Sequence, residues 1–288
     1  SMNSDADVTF TGENINNYFG KSLSSAGDLN GDGYSDIVIG ANRYSNYTGK
    51  AYVYFGGSSM DDIADLNMIA EDEFNSFGIS VSGADDVNGD GYSDLIIGAE
   101  GFNSGTGRAY LYFGSSSMDN TADVIMNGET NTNSFGGSVS NAGDVNGDGY
   151  SDIVIGAYNH NNAVGKVYVY YGGASMNNSA DLSMTGEASF SNYGNSVSGA
   201  GDMNGDGYSD LIVGAHNLNS QTGRSYLYMY GMTGTLISEL NISGDVMLHE
   251  VGASVSSAGH VNGDGYGDVL VAADNIVFCY HGSQHGIK

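Results

Sequence analysis

The apolar and polar positions along the chain fall into a short pattern that comes back again and again. A small-residue segment such as Gly78-Ile-Ser-Val-Ser-Gly-Ala84 predicts a first strand. After an acidic stretch comes an unbroken apolar run, Leu95-Ile96-Ile97-Gly98-Ala99, as expected of a strand buried on both faces. A Gly/Asn/Ser turn leads to an alternating segment, Arg108-Ala-Tyr-Leu-Tyr-Phe113, and a Ser-rich loop leads to a fourth, Ala122-Asp-Val-Ile-Met-Asn-Gly-Glu129. Four short strands separated by turns make one blade of a β-propeller. No segment of useful length carries a helical period.

The acidic stretch fixes the period. Asp28-Leu-Asn30-Gly-Asp32-Gly33-Tyr34-Ser-Asp36 recurs every 58 residues, starting at Asp28, Asp86, Asp144, Asp202 and His260. A fixed spacing of this size means one structural unit repeated around an architecture. Five such units account for nearly all of the 288 residues, so residues 1–288 read as a single domain with no room for a separate catalytic one. The fold class is all-β, a propeller of five four-stranded blades.

The two ends suggest how the ring closes. Fourth-strand copies begin at Ala64, Ala122, Ala180 and Ser238, and a further copy, Ala6-Asp-Val-Thr-Phe-Thr-Gly-Glu13, has no preceding strands of its own. The fifth repeat stops after its third strand, Ile276-Val-Phe-Cys-Tyr280. The N-terminal strand is therefore expected to complete the last blade, giving a closed monomer without exposed edges; the alternative is that it pairs with the last blade of another molecule.

Tyr52/Tyr54, Tyr110/Tyr112, Tyr168/Tyr170 and Tyr226/Tyr228 share one face of the third strand and are expected to pack between blades; a sugar-stacking platform is the alternative. Cys279 aligns with Val53, Leu111, Val169 and Leu227, so it is expected to be a small buried hydrophobe.

Composition narrows the function. Asp and Glu number 34 against 7 Lys and Arg, for a formal charge of −27. Nucleic acid and anionic membranes are disfavoured as partners, because both need a basic patch. A single cysteine excludes an intrachain disulfide framework, and no apolar run is long enough to span a membrane. The start carries no apolar signal-peptide region, and Ser1-Met2 reads as a cloning remnant. With no Pro and 46 Gly, the turns are built from Gly and Asn.

The repeated acidic loops explain 14 of the 34 acids. Calcium takes 6–8 oxygen ligands, and loop residues at alternate positions supply them. In the loop at 28–36 the candidates are Asp28, Asn30, Asp32 and Asp36, with Tyr34 offering its backbone carbonyl. The loop at 86–94 repeats the set as Asp86, Asn88, Asp90, Tyr92 and Asp94. The loop at 144–152 has Asp144, Asn146, Asp148, Tyr150 and Asp152, and that at 202–210 has Asp202, Asn204, Asp206, Tyr208 and Asp210. Gly33 and its counterparts permit the sharp turn. The loop resembles the start of an EF-hand but lacks a twelfth-position Glu and runs straight into a strand. In the fifth loop, 260–268, the candidates are Asn262, Asp264, Tyr266 and Asp268, but His260 replaces the first Asp and removes a charged oxygen. Four calcium sites are expected, with the fifth weakened or absent. Five bound ions would bring the charge from −27 to −17. The alternative is a ladder of Asx turns without metal.

These residues resemble FG-GAP repeats, the units of the integrin alpha-subunit propeller. The "FG" stands as Phe19-Gly20, Phe77-Gly78, Phe135-Gly136 and Tyr193-Gly194, and decays to Val251-Gly252. The "GA" stands as Gly40-Ala41, Gly98-Ala99, Gly156-Ala157 and Gly214-Ala215, with no Pro after it. The composition is similar to bacterial members. The resemblance implies four-stranded blades, calcium in the loop joining strands one and two, and an extracellular binding or adhesion role, secreted or on a cell surface. Family propellers commonly have seven blades, and nothing here identifies a beta-subunit partner. The expected function is a calcium-stabilised binding module for a protein ligand; the alternative is a lectin binding glycans in repeated inter-blade pockets. Repeated sites would give avidity. No catalytic residues are singled out: an enzyme needs one asymmetric reactive cluster, and the repeats contain none.

Overall fold

The computed structural model describes residues 5–244, 249–284 and 287. Its strands form five antiparallel sheets in sequence order. The first holds β1 (Ser22–Gly27), β2 (Asp36–Ala41), β3 (Lys50–Tyr54) and β4 (Leu66–Ile69). The second holds β5 (Ser80–Asp85), β6 (Asp94–Ala99), β7 (Arg108–Tyr112) and β8 (Val124–Asn127). The third runs from β9 (Phe135–Gly143) through β10 (Asp152–Ala157) and β11 (Lys166–Tyr170) to β12 (Leu182–Thr185). The fourth comprises β13 (Ser196–Gly201), β14 (Asp210–Ala215), β15 (Arg224–Gly231) and β16 (Thr235–Ser243). The fifth has three strands, β17 (Val255–Gly259), β18 (Asp268–Ala273) and β19 (Ile276–His281).

Each second strand is the unbroken apolar run, and burial on both faces is the reason for its composition. β6, β10 and β14 are buried at all six positions. The 2–3 connections are four-residue turns, Tyr44–Tyr47, Phe102–Gly105, His160–Ala163 and Leu218–Gln221, each with left-handed residues inside such as Asn103 (φ 48°) and Asn161 (φ 48°). Asn tolerates that region at low cost, so Asn-rich segments turn the chain without Pro.

First strands of neighbouring sheets pack side by side, β1 to β5, β5 to β9, β9 to β13 and β13 to β17. They line an open cleft of about 480 Å³. Ser22, Ser80 and Ser138 each donate a hydroxyl at 2.8 Å to the carbonyl of Gly78, Gly136 and Gly194 in the next blade. The blades approach so closely there that a Cβ on Gly98 would lie 1.9 Å from the Gly136 carbonyl oxygen. This contact explains the "GA" glycine. The "FG" aromatic makes the adjoining junction: Gly49 bridges Phe77, Gly107 bridges Phe135 and Gly165 bridges Tyr193, and all three rings are fully buried. Phe77 meets Tyr110 edge-on at 5.2 Å, and Phe135 meets Tyr168 in the same way.

The cores lie between sheets rather than within one. Val38, Val53 and Met68 of the first blade pack on Leu95, Ile97, Tyr110 and Tyr112 of the second. Tyr110/Tyr112, Tyr168/Tyr170 and Tyr226/Tyr228 are therefore inter-blade packing, as expected, while Tyr52/Tyr54 pack on Phe10 and Phe19 ahead of blade one; all eight are 2–6% exposed.

The open ends differ from this pattern. No strand spans residues 6–13, and among the described residues no ladder joins them to β19. That segment lies against the first blade, where Phe10 packs on Tyr54 with tilted rings 4.4 Å apart and Glu13 pairs with Lys50 at 2.5 Å. Glu71–Arg108, Glu129–Lys166 and Glu187–Arg224 are the same pair one blade on each time. The segment thus sits beside blade one where the end of a fourth strand sits beside each later blade.

The expectation for Cys279 needs correction. Its register is right, since Cys279 faces Leu270 as Val53 faces Val38. Yet Cys279 is exposed while Val53, Leu111, Val169 and Leu227 are fully buried. Those four are covered by the following blade, whereas the far side of the fifth sheet is uncovered among the described residues, with Val277 also 64% exposed.

Candidate metal centre

Strand direction places all five acidic loops at one end of the sheets, between the first and second strands. The 2–3 turns and the connections leading into each "FG" pair lie at the other end. Within each loop the short acidic side chains cap their own backbone. Asp28 accepts from the amides of Gly31 and Asp32 with Oδ1 (2.7 and 3.0 Å) and from Gly33 with Oδ2 (2.8 Å). Asn30 Oδ1 accepts from the Asp32 amide, and Asp32 Oδ1 from that of Tyr34, both at 2.9 Å. Asn30 Nδ2 donates to Asp32 Oδ2 at 3.1 Å. Asp86, Asn88 and Asp90 repeat this scheme, as do Asp144, Asn146 and Asp148, and Asp202, Asn204 and Asp206. Gly33, Gly91, Gly149 and Gly207 all have φ near +90°, which a side chain would strain.

The ninth-position aspartates do something the spacing did not reveal. Asp36, Asp94, Asp152 and Asp210 are fully buried. Asp152 Oδ2 accepts from the Val145 amide at 2.9 Å, and Oδ1 accepts from the Gly172 amide at 2.8 Å. The same two-handed clasp joins Asp36 to Leu29 and Gly56, Asp94 to Val87 and Gly114, and Asp210 to Met203 and Tyr230. Each carboxylate ties its loop to the end of the third strand. Burial pushes Asp94, Asp152 and Asp210 up to about 7 against the pull of those amides, with the neighbouring loop carboxylates adding to the rise.

The donor set is made of hard oxygens only, and ionised carboxylates keep lone pairs beyond those used by the amides. In each of the first four loops a buried, a half-buried and an exposed carboxylate lie within nine residues, a repulsion that a divalent cation would relieve. Asp28, Asn30, Asp32, the Tyr34 carbonyl and Asp36, with their counterparts in the next three loops, therefore fit calcium by chemistry. Among the described residues, no three His, Cys, Asp or Glu are gathered closely enough to hold an ion on their own. The fifth loop does not fit. Asn262, Asp264 and Asp268 keep their places, but His260 Nδ1 lies 2.6 Å from the Tyr266 carbonyl. Since a carbonyl only accepts, the imidazole donates, and it occupies the oxygen that the other loops leave available.

A propeller-like series of four four-stranded blades, each with one oxygen-rich loop, followed by a three-stranded fifth, defines a class of repeat protein. The FG-GAP repeat profile matches residues 19–54, 77–112, 135–170 and 193–228, and the chain belongs to that family. Integrin alpha-4 of Xenopus laevis is 34% identical over 98 residues, 31% of this chain and 10% of its own length. Integrin alpha-5 of Xenopus laevis is 32% identical over 143 residues, 43% of this chain and 14% of its own. Integrin alpha-7 of Mus musculus is 37% identical over 118 residues, 37% of this chain and 10% of its own. The chain thus spans about a tenth of the length of these relatives. A solved structure titled "Structure of Dos1 propeller" superposes with a TM-score of 0.49 at 15% identity, covering 90% of this chain and 55% of that one. No helix among the described residues is long and apolar enough to cross a membrane.

Proposed function

We propose that this chain is an extracellular binding module, secreted or on a cell surface, whose calcium ions are structural and whose ligand is a protein. The observation that carries the reading is the recurrence, in four loops, of the same ordered oxygen set at the same blade end. Calcium bound there would neutralise charge. The loops, shaped by their own amides, would tighten around it. The ligand belongs at the opposite end, away from that charge. Phe74 (64% exposed) and Phe190 (70% exposed) stand there on the connections into the "FG" pairs, and Arg43 stacks on Tyr18 at 3.9 Å. These aromatics differ from blade to blade, unlike the acidic loops, which favours one irregular protein surface over repeated sugar pockets. The lectin reading remains the alternative outcome. A glycan array against immobilised extracellular-matrix proteins separates the two: calcium-dependent binding to glycans alone would overturn the protein-ligand reading. For the metal, chelation should lower the melting temperature, and calcium but not magnesium should restore it. An unchanged melting curve in chelator would remove calcium from the account.

We further infer that residues 6–13 supply the strand that the fifth sheet lacks, closing a five-bladed monomer. Support comes from their position beside blade one and from the uncovered far side of β19. Closure would cover Cys279. Slow reaction of this thiol in a protein sedimenting as a monomer is the expected result, and rapid labelling of such a monomer would refute closure.

A further inference from the structure

Successive acidic loops touch. The ring of Tyr92 lies against Gly31 of the preceding loop, where a Cβ would sit 2.5 Å from the ring. Tyr150 covers Gly89 (2.4 Å), Tyr208 covers Gly147 (2.2 Å) and Tyr266 covers Gly205 (2.5 Å) in the same way. The residue after each of these tyrosines donates its amide backwards as well: Ser93 to the Asp28 carbonyl (3.0 Å), Ser151 to Asp86 (3.2 Å), Ser209 to Asp144 (2.9 Å) and Gly267 to Asp202 (2.7 Å). Positions seven and eight of each loop therefore clamp positions one to four of the loop before it. Position seven also carries the carbonyl assigned above to calcium, so whatever fixes that carbonyl fixes the clamp on the preceding loop.

At the last clamp a side chain fixes the position-seven carbonyl, where the other loops would rely on an ion. His260 already holds the Tyr266 carbonyl at 2.6 Å, and the Tyr266 ring and the Gly267 amide close on the loop at 202–210. A loop whose neighbour is already ordered loses less conformational entropy on binding. Resting on the calcium reading above, we propose that the loops bind calcium as a coupled series that begins at residues 202–210, with His260 standing in for the fifth ion, and proceeds through 144–152 and 86–94 to 28–36. Coupling between binding sites is reciprocal, so each filled loop favours both neighbours.

The test is peptide-resolved hydrogen exchange of the full chain across a calcium titration, comparing wild type with His260→Ala. In wild type, protection at 202–210 should appear at the lowest calcium and that at 28–36 at the highest. In His260→Ala the midpoint at 202–210 should rise by about fivefold or more, the lower end of common coupling strengths. Tyr92→Ala, which keeps its backbone carbonyl, should raise the midpoint at 28–36 more than that at 202–210. If Tyr92→Ala fails to fold, Tyr208→Ala and the loop at 144–152 give the equivalent comparison. Calcium-dependent protection with the 202–210 midpoint unmoved in His260→Ala would overturn the coupled series while leaving calcium binding intact. No calcium-dependent protection in wild type would overturn the calcium reading itself, and the series with it.

Discussion

Asp148→Ala and Asp152→Ala lie four residues apart in one loop, yet the structure assigns them opposite behaviour. Asp152 is fully buried and satisfies two amides, those of Val145 and Gly172. Truncation leaves both donors without their acceptor, and each such buried group costs about 1–3 kcal/mol. The total is about 2–6 kcal/mol before any metal is counted. At about 2–4 °C per kcal/mol for a chain of this size, the melting temperature should fall by roughly 4–24 °C in chelator, and by more in calcium, where Asp152 is also lost as a ligand. Asp148 is exposed and accepts from the Tyr150 amide and Asn146 Nδ2, groups that water can satisfy. Its loss should be nearly silent in chelator. In calcium it should remove the stabilisation of one site, about 2.7 kcal/mol at a hundredfold excess over Kd. Thermal melts of wild type and both variants, in calcium and in chelator, give the full comparison. If Asp152→Ala melts with wild type in chelator, the clasp contributes nothing and the argument from buried amides is wrong. If Asp148→Ala is as damaging in chelator as in calcium, its role is structural rather than metal binding.

Three further outcomes follow from the geometry. Calorimetric titration should find one calcium equivalent fewer in Asp148→Ala, and no loss of stoichiometry in Asp264→Ala, because His260 has already taken the carbonyl of that loop. Gly98→Ala should destabilise more than Asp148→Ala by denaturant melting, since its Cβ would lie 1.9 Å from a backbone oxygen that cannot swing away; a soluble protein of wild-type stability would contradict the close approach. Phe135→Ala removes a fully buried ring at a blade junction and should cost about 3–5 kcal/mol, read as a lower urea midpoint.

The repeat made much of this legible. A 58-residue period, unbroken apolar runs and alternating tyrosines led to the strands and their order, because burial on two faces leaves a compositional mark. The oxygen-bearing side chains of the loops were equally visible, standing at fixed offsets. The second job of Asp36 and its counterparts was not, because a clasp to Gly56 spans 20 residues and depends on where the third strand ends. The backward reach of Tyr92 onto Gly31 was hidden for the same reason: a 61-residue separation has no signature in one repeat read alone. Cys279 shows a different limit. Alignment places a residue in register, but burial depends on what lies across from it, and for β19 that partner is not set by its own repeat.

Near-identity of the three junctions that join blades one to four has a consequence for how the chain reaches this arrangement. The Glu–cation pair, the serine-to-glycine carbonyl bond and the aromatic bridge recur with interchangeable residues, so the near side of any blade is a fair match for the far side of several others. Side-chain complementarity then discriminates weakly between correct and incorrect neighbours. What selects the right one is tethering: about ten residues separate β4 from β5 and seven separate β8 from β9, so the next blade in sequence is held at high local concentration. During synthesis each blade would find its predecessor before a later rival emerged. Refolding from denaturant offers all of them at once, and misassembly should compete more strongly there.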